Sequence, residues 1–292
     1  MIRTDQIEPT GAARLLVRYD GPDGPAVGLW QPAGIKAIAP TLAELLRLPA
    51  DEFVGRARAA ELNRMAALPH SGTLLAPIDG RTELWASGVT YEISREARMT
   101  ESETSATVYE QVYEADRPEL FFKSVGWRTR TTGDEIRVRA DSEINVPEPE
   151  LAVLINSGGE IVGAAVCNDM SSRSIEGENP LYLPQAKIYR GSTALGPGVA
   201  VLGADELANL AISLTIVRDG AVAWSGATST SRLHRTITDL VTWLYAELDF
   251  PDGAWLSTGT GLVPDLPFAL AVGDVVTIAI DRVGTLINTV TD

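Results

Sequence analysis

The chain has 292 residues, 45% of them hydrophobic and 22% charged, the make-up of a soluble globular protein long enough to bury a sizeable core. A net charge of −15 and an isoelectric point near 4.6 exclude a nucleic-acid partner, which would need a Lys/Arg cluster that the chain lacks. A single cysteine excludes an internal disulfide framework, no apolar run approaches the roughly 18 residues of a membrane span, and MIRTDQIEPT has no basic stretch leading into an apolar one. The expectation is a cytoplasmic protein with no membrane partner, assembling as a homo-oligomer.

The first elements are two strands, ARLLVRY and AVGLWQ, joined by the turn-rich DGPDGP. A helix follows, with Thr41 as cap, Glu44 as its capping-box partner, and Leu42, Leu45 and Leu46 at helical spacing. A second helical run covers about 51–67. Residues 1–75 thus read as a small N-terminal α/β domain with no recognisable chemistry, a packing or interface module.

Leu74-Leu75 and Leu84-Trp85-Ala86 are strand candidates around the Asp79-Gly80 turn. From Ser94 to Glu114 the chain becomes polar, and reads either as a solvated surface helix or as a lid over a site. In the aromatic strand PELFFK, period two places Glu119, Phe121 and Lys123 on one face, as a surface ion pair or as part of a site.

The most informative stretch is PEPELAVLINSGGEIVGAAVCNDM. Two apolar runs, Leu151 to Asn156 and Ile161 to Cys167, flank Ser-Gly-Gly-Glu, a strong hairpin signal. With Gly158 and Gly159 as the turn, residue 157 faces 160, 150 faces 167, and Glu148 lies opposite Asp169. Alternation then puts Glu148, Glu150 and Asp169 on one face at the hairpin's open end. Like charges this close repel, and a hard divalent cation is the usual compensation; oxygen-only ligands favour Mg²⁺, with Mn²⁺ or Ca²⁺ behind it. The alternative is a solvated acidic strand end. Pro149 cannot donate to a ladder, so it marks an edge or a bulge. Cys167, in an apolar strand, reads as a buried inert thiol.

The stretch after the hairpin, through QAKIYRGSTALGPGVAV, is long and irregular, with Lys187 as the last lysine of the chain. A hairpin turns at Asp219-Gly220. The clearest helix runs from Arg232 to Leu248, capped by Thr230 or Ser231, and His234 within it reads as structural. With His70 as the only other histidine, catalytic triads and zinc sites lack parts. The Gly259-Thr260-Gly261 turn offers N–H groups and a hydroxyl to an anion, and the final strands turn at Val283-Gly284.

Five motifs in order, PEPELAVLI, NDMSSR, QAKIYRGSTALGP, LSTGTG and GTLINTV, resemble the fumarylacetoacetate hydrolase family over about residues 84–292. The resemblance implies an α+β fold, a mixed β-sandwich roll with the small N-terminal domain attached, and a catalytic domain over 76–292. It also supports the triad. Hydrolases of the family carry Asn-Tyr-x-x-His-x-x-Glu, whose His and Glu activate water. Here Thr90-Tyr91-Glu92-Ile93-Ser94-Arg95-Glu96-Ala97 places Ser94 and Ala97 at the two dyad positions.

GVTYEISREARM, RPELFFK and SIEGENPLYLPQAK look more like the family's sugar-acid dehydratase branch. That resemblance implies a Mg²⁺-dependent hydro-lyase of pentose catabolism, converting a 2-keto-3-deoxypentonate to 2,5-dioxopentanoate. In that reading the triad holds the metal, Lys187 is the base for C3, Glu119 protonates the departing C4 hydroxyl, and Ser94, Arg95 and Thr260 grip the 2-keto acid substrate. The alternative is a metal-dependent hydrolase or decarboxylase of acylpyruvate-like diketo acids, with Glu92 or Glu96 activating water. A catalytically silent scaffold is a third reading, disfavoured because the full Glu, Glu, Asp, Lys set is retained.

Overall fold

The computed structural model describes residues 3–4, 14–62, 67, 72–92 and 106–292, with the backbone alone for 106–109. Strands β1 (Leu15–Gly21), β2 (Gly24–Gln31) and β3 (Gly34–Ala39) lead into helices α1 (Leu42–Leu46) and α2 (Ala50–Leu62). The sequence pattern shows the first two strands but not β3, whose Gly34-Ile35-Lys36-Ala37 lacks clean alternation. Thr41 caps α1 as expected, its hydroxyl accepting from the Glu44 amide at 3.2 Å. Asp79 adds a second cap, its two oxygens accepting from the amides of Leu42 and Ala43.

The chain continues through β4 (Thr73–Leu75), β5 (Glu83–Gly88), α3 (Ala106–Glu114), β6 (Glu119–Val125), β7 (Glu135–Arg137), β8 (Asn145–Val146), β9 (Pro149–Ile155), β10 (Ile161–Asp169) and β11 (Ser171–Ser172). Helices α4 (Arg173–Glu178) and α5 (Leu183–Lys187) precede β12 (Thr193–Ala200), β13 (Ala211–Arg218) and β14 (Ala221–Ser229). Helix α6 (Ile237–Tyr245) and strands β15 (Ala254–Thr260), β16 (Val275–Ile280) and β17 (Gly284–Thr291) complete it. The stretch read as irregular after the hairpin therefore contains β12, hidden from the pattern by Gly196 and Pro197.

The main sheet runs β3-β2-β1-β12-β10-β9-β15-β5-β6, with β4 beside β1, and a second sheet runs β14-β13-β16-β17-β7. Pairing is antiparallel except for β15 with β5 and β17 with β7, so both sheets are mixed. This is the expected mixed α+β arrangement, and the N-terminal strands join the main sheet through β1 and β12.

Alternation on β9 and β10 builds two cores. Leu151, Val153, Ile155, Ala164 and Val166 face the second sheet and α6, while Ala152, Leu154, Ala165 and Cys167 face α1 and α2. Each large apolar side chain buried there stabilises the fold by about 1.5–3 kcal/mol. Glu150 stands opposite Cys167, on the helix-covered face, at the strand end where that core stops.

The hairpin register is the expected one at its open end and differs at its turn. Glu150 pairs with Cys167, and the Asp169 amide donates to the Glu148 carbonyl at 3.0 Å. The turn is a three-residue loop instead, closed by Asn156 N–H to the Glu160 carbonyl, with Gly159 at φ 81° and the Asn156 side chain accepting from Gly158 and Glu160. An extra residue at Val162 then restores the pairing. Pro149 is on a central strand, and the bulge beside it falls in β15 rather than in the hairpin.

Helix α6 begins later than its apolar pattern. Thr236 caps it, accepting from the Asp239 amide, because residues 233 and 234 are held extended: Leu233 bridges to Tyr91, and the His234 amide donates to the Thr90 carbonyl. His234 is structural as read, its ring stacked on Tyr113 at 4.2 Å. Leu248 lies beyond the helix and is exposed.

Asp252 ties the start of β15 to both flanking segments, accepting from Arg47 at 2.8 Å and from Arg81 at 3.2 Å. The Arg81 and Arg47 hydrogen bonds outweigh burial and hold its carboxyl down to about 2, below the ordinary 3.8. A depressed carboxylate stabilises the fold above its unfolded value and ceases to as pH falls through the folded one. Asp252→Asn is therefore expected to cost about 1–2 kcal/mol at pH 7. In urea melts between pH 6 and pH 2, the wild type should lose this advantage over the variant as acid is approached; an unchanging gap would contradict it.

Candidate active site

The ends of β9, β10, β15, β6 and α5 meet at one small cleft, lined by Glu119, Phe121, Glu148, Glu150, Asp169, Glu176, Lys187 and Thr260 among others. Glu148, Glu150 and Asp169 converge as expected: one oxygen from each lies within 4.8 Å of the others, and all three side chains are buried. A bulge fixes Glu150. Where β15 passes β9, one extra residue between Ser257 and Thr260 turns both the Ser257 hydroxyl (2.6 Å) and the Gly259 amide (3.0 Å) onto Oε2 of Glu150. Gly259 has φ 90°, and a Cβ there would stand 2.0 Å from the Thr90 hydroxyl, so only glycine can make this turn.

Two lysines compensate the carboxylates. Lys187, at the end of α5, places Nζ 2.5 Å from Oε2 of Glu148 and 3.3 Å from Oδ2 of Asp169. Lys123 pairs with the other oxygen of Asp169, Oδ1, at 2.6 Å and is wholly buried. It lies on the same alternating face of β6 as Glu119 and Phe121, which line the cleft. Leu84 faces Ser124 but Trp85 faces Phe122, so Lys123 is also the extra residue of a bulge. Of the two placements that sequence spacing left open for this face, surface or site, the structure shows the site.

Burial acts to raise Asp169, but Lys123 and Lys187 outweigh it and hold the carboxyl below its ordinary value. Burial, then the charges of Asp169 and Glu148, push Glu150 up to about 8. Burial lowers Lys123 against the pull of Asp169. Cys167 is buried with its thiol pushed up by burial, so it is the inert group expected.

Residues 97–291 match the profile of a family described as Fumarylacetoacetate (FAA) hydrolase C-terminal. The chain belongs to the fumarylacetoacetate hydrolase family. It is 50% identical over 216 residues, 74% of each chain, to a protein of Haloferax volcanii named probable 2-keto-3-deoxyxylonate dehydratase. It is 44% identical over 220 residues, 73% of each chain, to 2-dehydro-3-deoxy-D-arabinonate dehydratase of Saccharolobus solfataricus. A solved structure of 2-keto-3-deoxy-D-arabinonate dehydratase complexed with magnesium and 2,5-dioxopentanoate is similar with a TM-score of 0.77 and 33% identity, over 94% of this chain and 98% of that one.

In this family member the other expected site residues divide. Glu119 lies on the cleft wall, its carboxylate folded over Gly88, where a Cβ would stand 2.0 Å from Oε2. Thr260 also lines the cleft, but its hydroxyl sits 3.0 Å from the carbonyls of both Pro149 and Leu262. Ser94 and Arg95 lie outside the described residues, as do Glu96, Ala97 and His70. Glu176 is an addition: buried on the cleft wall, it accepts from the Ser171 hydroxyl at 2.8 Å. Nothing in the order of SIEGE marks it, because its direction depends on the short α4.

Three buried carboxylates presenting oxygen alone, each already polarised by a cation or a donor, fit a hard divalent ion. Binding one requires Glu150 to give up the proton it holds below about pH 8. Mg²⁺ binding at pH 7 should therefore release about one proton, and affinity should rise toward pH 8. Calorimetry in two buffers of different ionisation enthalpy checks this; equal heats in both would refute it.

Proposed function

We propose that the protein is a Mg²⁺-dependent hydro-lyase acting on a 2-keto-3-deoxy sugar acid, forming 2,5-dioxopentanoate from a 2-keto-3-deoxypentonate. The observation that carries this reading is Lys187, held against the carboxylate triad in a chain half identical to a protein named as such a dehydratase. The relative crystallised with magnesium and 2,5-dioxopentanoate supports both the ion and the product class.

Glu148, Glu150 and Asp169 would hold the ion, whose chemistry is Lewis-acid polarisation of the substrate's C2 ketone, making the C3 protons acidic. Lys187 takes one C3 proton. Its amine is in contact with the triad, which sets it beside C3 in a substrate whose carboxylate and ketone are turned toward the metal-holding carboxylates. Glu119 delivers a proton to the C4 hydroxyl as the C4–O bond breaks, and water leaves. A C5 proton is then lost and one returns to C3, shuttled by the same two side chains, and the resulting enol becomes the aldehyde. Product equals substrate less one water.

Of the three candidates for gripping the substrate, Ser94 and Arg95 keep that role and Thr260 takes another. Since the Thr260 hydroxyl serves backbone carbonyls, its contribution is to shape the wall beside Glu150. Residues 1–75 remain a packing module in this reading: among the described residues none of them lines the cleft, and β1–β3 extend the sheet. The cytoplasm as location and a homo-oligomeric assembly belong to the same proposal. No helix among the described residues is long and apolar enough to cross a membrane.

A coupled assay tests the reading. Purified protein with Mg²⁺ is expected to convert one 2-keto-3-deoxypentonate epimer to 2,5-dioxopentanoate, with EDTA abolishing turnover and Lys187→Ala lowering kcat by about 10²–10⁴-fold. Glu119→Gln should lower kcat by about 10²-fold or more with KM little changed, because it removes a proton donor needed only as the C4–O bond breaks. Cleavage of an acylpyruvate without turnover of any pentonate would replace the dehydratase by a hydrolase.

A further inference from the structure

We infer that Lys123 is a positioning residue that governs the site through Asp169 and Lys187. The inference rests on the triad being the metal site, as proposed above. Three observations place it. Its side chain lies on the face of β6 that carries Glu119 and Phe121 to the cleft, and no part of it reaches solvent. Its ammonium takes Oδ1 of Asp169, while Lys187 takes Oδ2, so the two lysines divide one carboxylate between them. The same ammonium donates to the backbone carbonyl of Lys187 itself, with the Met170 carbonyl at 3.3 Å and the Ser192 hydroxyl at 3.5 Å.

A cation in this place does two separable things. It sits within ion-pair distance of Asp169, and its charge opposes a second cation a few ångströms away. By bonding the Lys187 carbonyl it also pins the end of α5, whose last residue is Lys187, and so fixes where that amine starts. The first effect weakens metal binding; the second serves proton transfer. A lysine kept for stability alone would have both effects lost together when it is removed, since a loosened site binds metal less well and turns over less well.

The test is Lys123→Met, similar in length and apolar, beside Lys123→Arg, which keeps charge and donors. Circular dichroism and melting first establish that each variant is folded, and Mg²⁺ is titrated by calorimetry with no substrate present. Lys123→Met is expected to bind Mg²⁺ about tenfold more tightly, because a buried like charge has gone. Its kcat should fall about 10²-fold with KM changed less than about threefold. Lys123→Arg should return the Mg²⁺ affinity to within about threefold of wild type. Weaker or unchanged Mg²⁺ binding in Lys123→Met, or an arginine variant that behaves like the methionine one, would overturn the inference. A wild type that binds no Mg²⁺ would instead sink the metal-site reading, and wild-type binding without pentonate turnover would sink the dehydratase alone.

Discussion

Three carboxylates buried in one cleft repel one another, and the rest of this structure is arranged around that repulsion. Desolvation sharpens it, because the low-dielectric surroundings that cover the helix-facing core also strip water from Glu150 and Asp169. The fold answers with two ammoniums and one retained proton. Lys187 pairs with Glu148 and Asp169, Lys123 pairs with Asp169, and burial with the neighbouring carboxylates favours the protonated form of Glu150.

Aiming these groups takes irregular strands. A regular strand alternates its side chains between two faces and cannot present two successive groups to one point. The β15 bulge escapes this by turning the Ser257 hydroxyl and the Gly259 amide to the same oxygen of Glu150, and a second bulge, in β6, falls at Lys123 beside Asp169. Both lie where their strands meet the cleft, and the regular stretches of β9 and β10 behind them carry the two apolar cores. Rigid packing therefore backs directly onto the reactive groups, which keeps their separations from relaxing.

That division explains what could be read from the sequence. The triad was legible because Glu148, Glu150 and Asp169 follow period-two alternation from a recognisable glycine turn. The reading survived an incorrect turn, since the three-residue loop and the extra residue at Val162 displace the register in opposite senses. Lys123 was placed on the right face with Glu119 and Phe121, but its contact with Asp169 was not legible, because it depends on which strands pair rather than on local pattern. Nor was β12, where Gly196 and Pro197 erase the signal of a central strand. Helix α6 was visible from its apolar face, but its start was set by contacts of residues 233 and 234 with Thr90 and Tyr91, far away in sequence.

The same geometry bears on which reaction the metal site serves. Hydrolysis needs a base that holds and deprotonates a water, and the dyad positions that do this in hydrolases of the family are Ser94 and Ala97 here. The carboxylates described in the cleft are largely engaged: Glu148 and Asp169 by lysines, Glu150 by the Ser257 hydroxyl and Gly259 amide, and Glu176 by the Ser171 hydroxyl. An amine is what remains in contact with the triad. A dication at the triad would compete for the oxygens that Lys187 contacts and add a repelling charge, conditions that lower the pKa of a lysine. A neutral amine beside a polarised ketone is suited to removing an α-proton, and Glu119 lies on the wall of the same cleft. The loss of the dyad and the retention of Lys187 thus favour elimination of water over its addition.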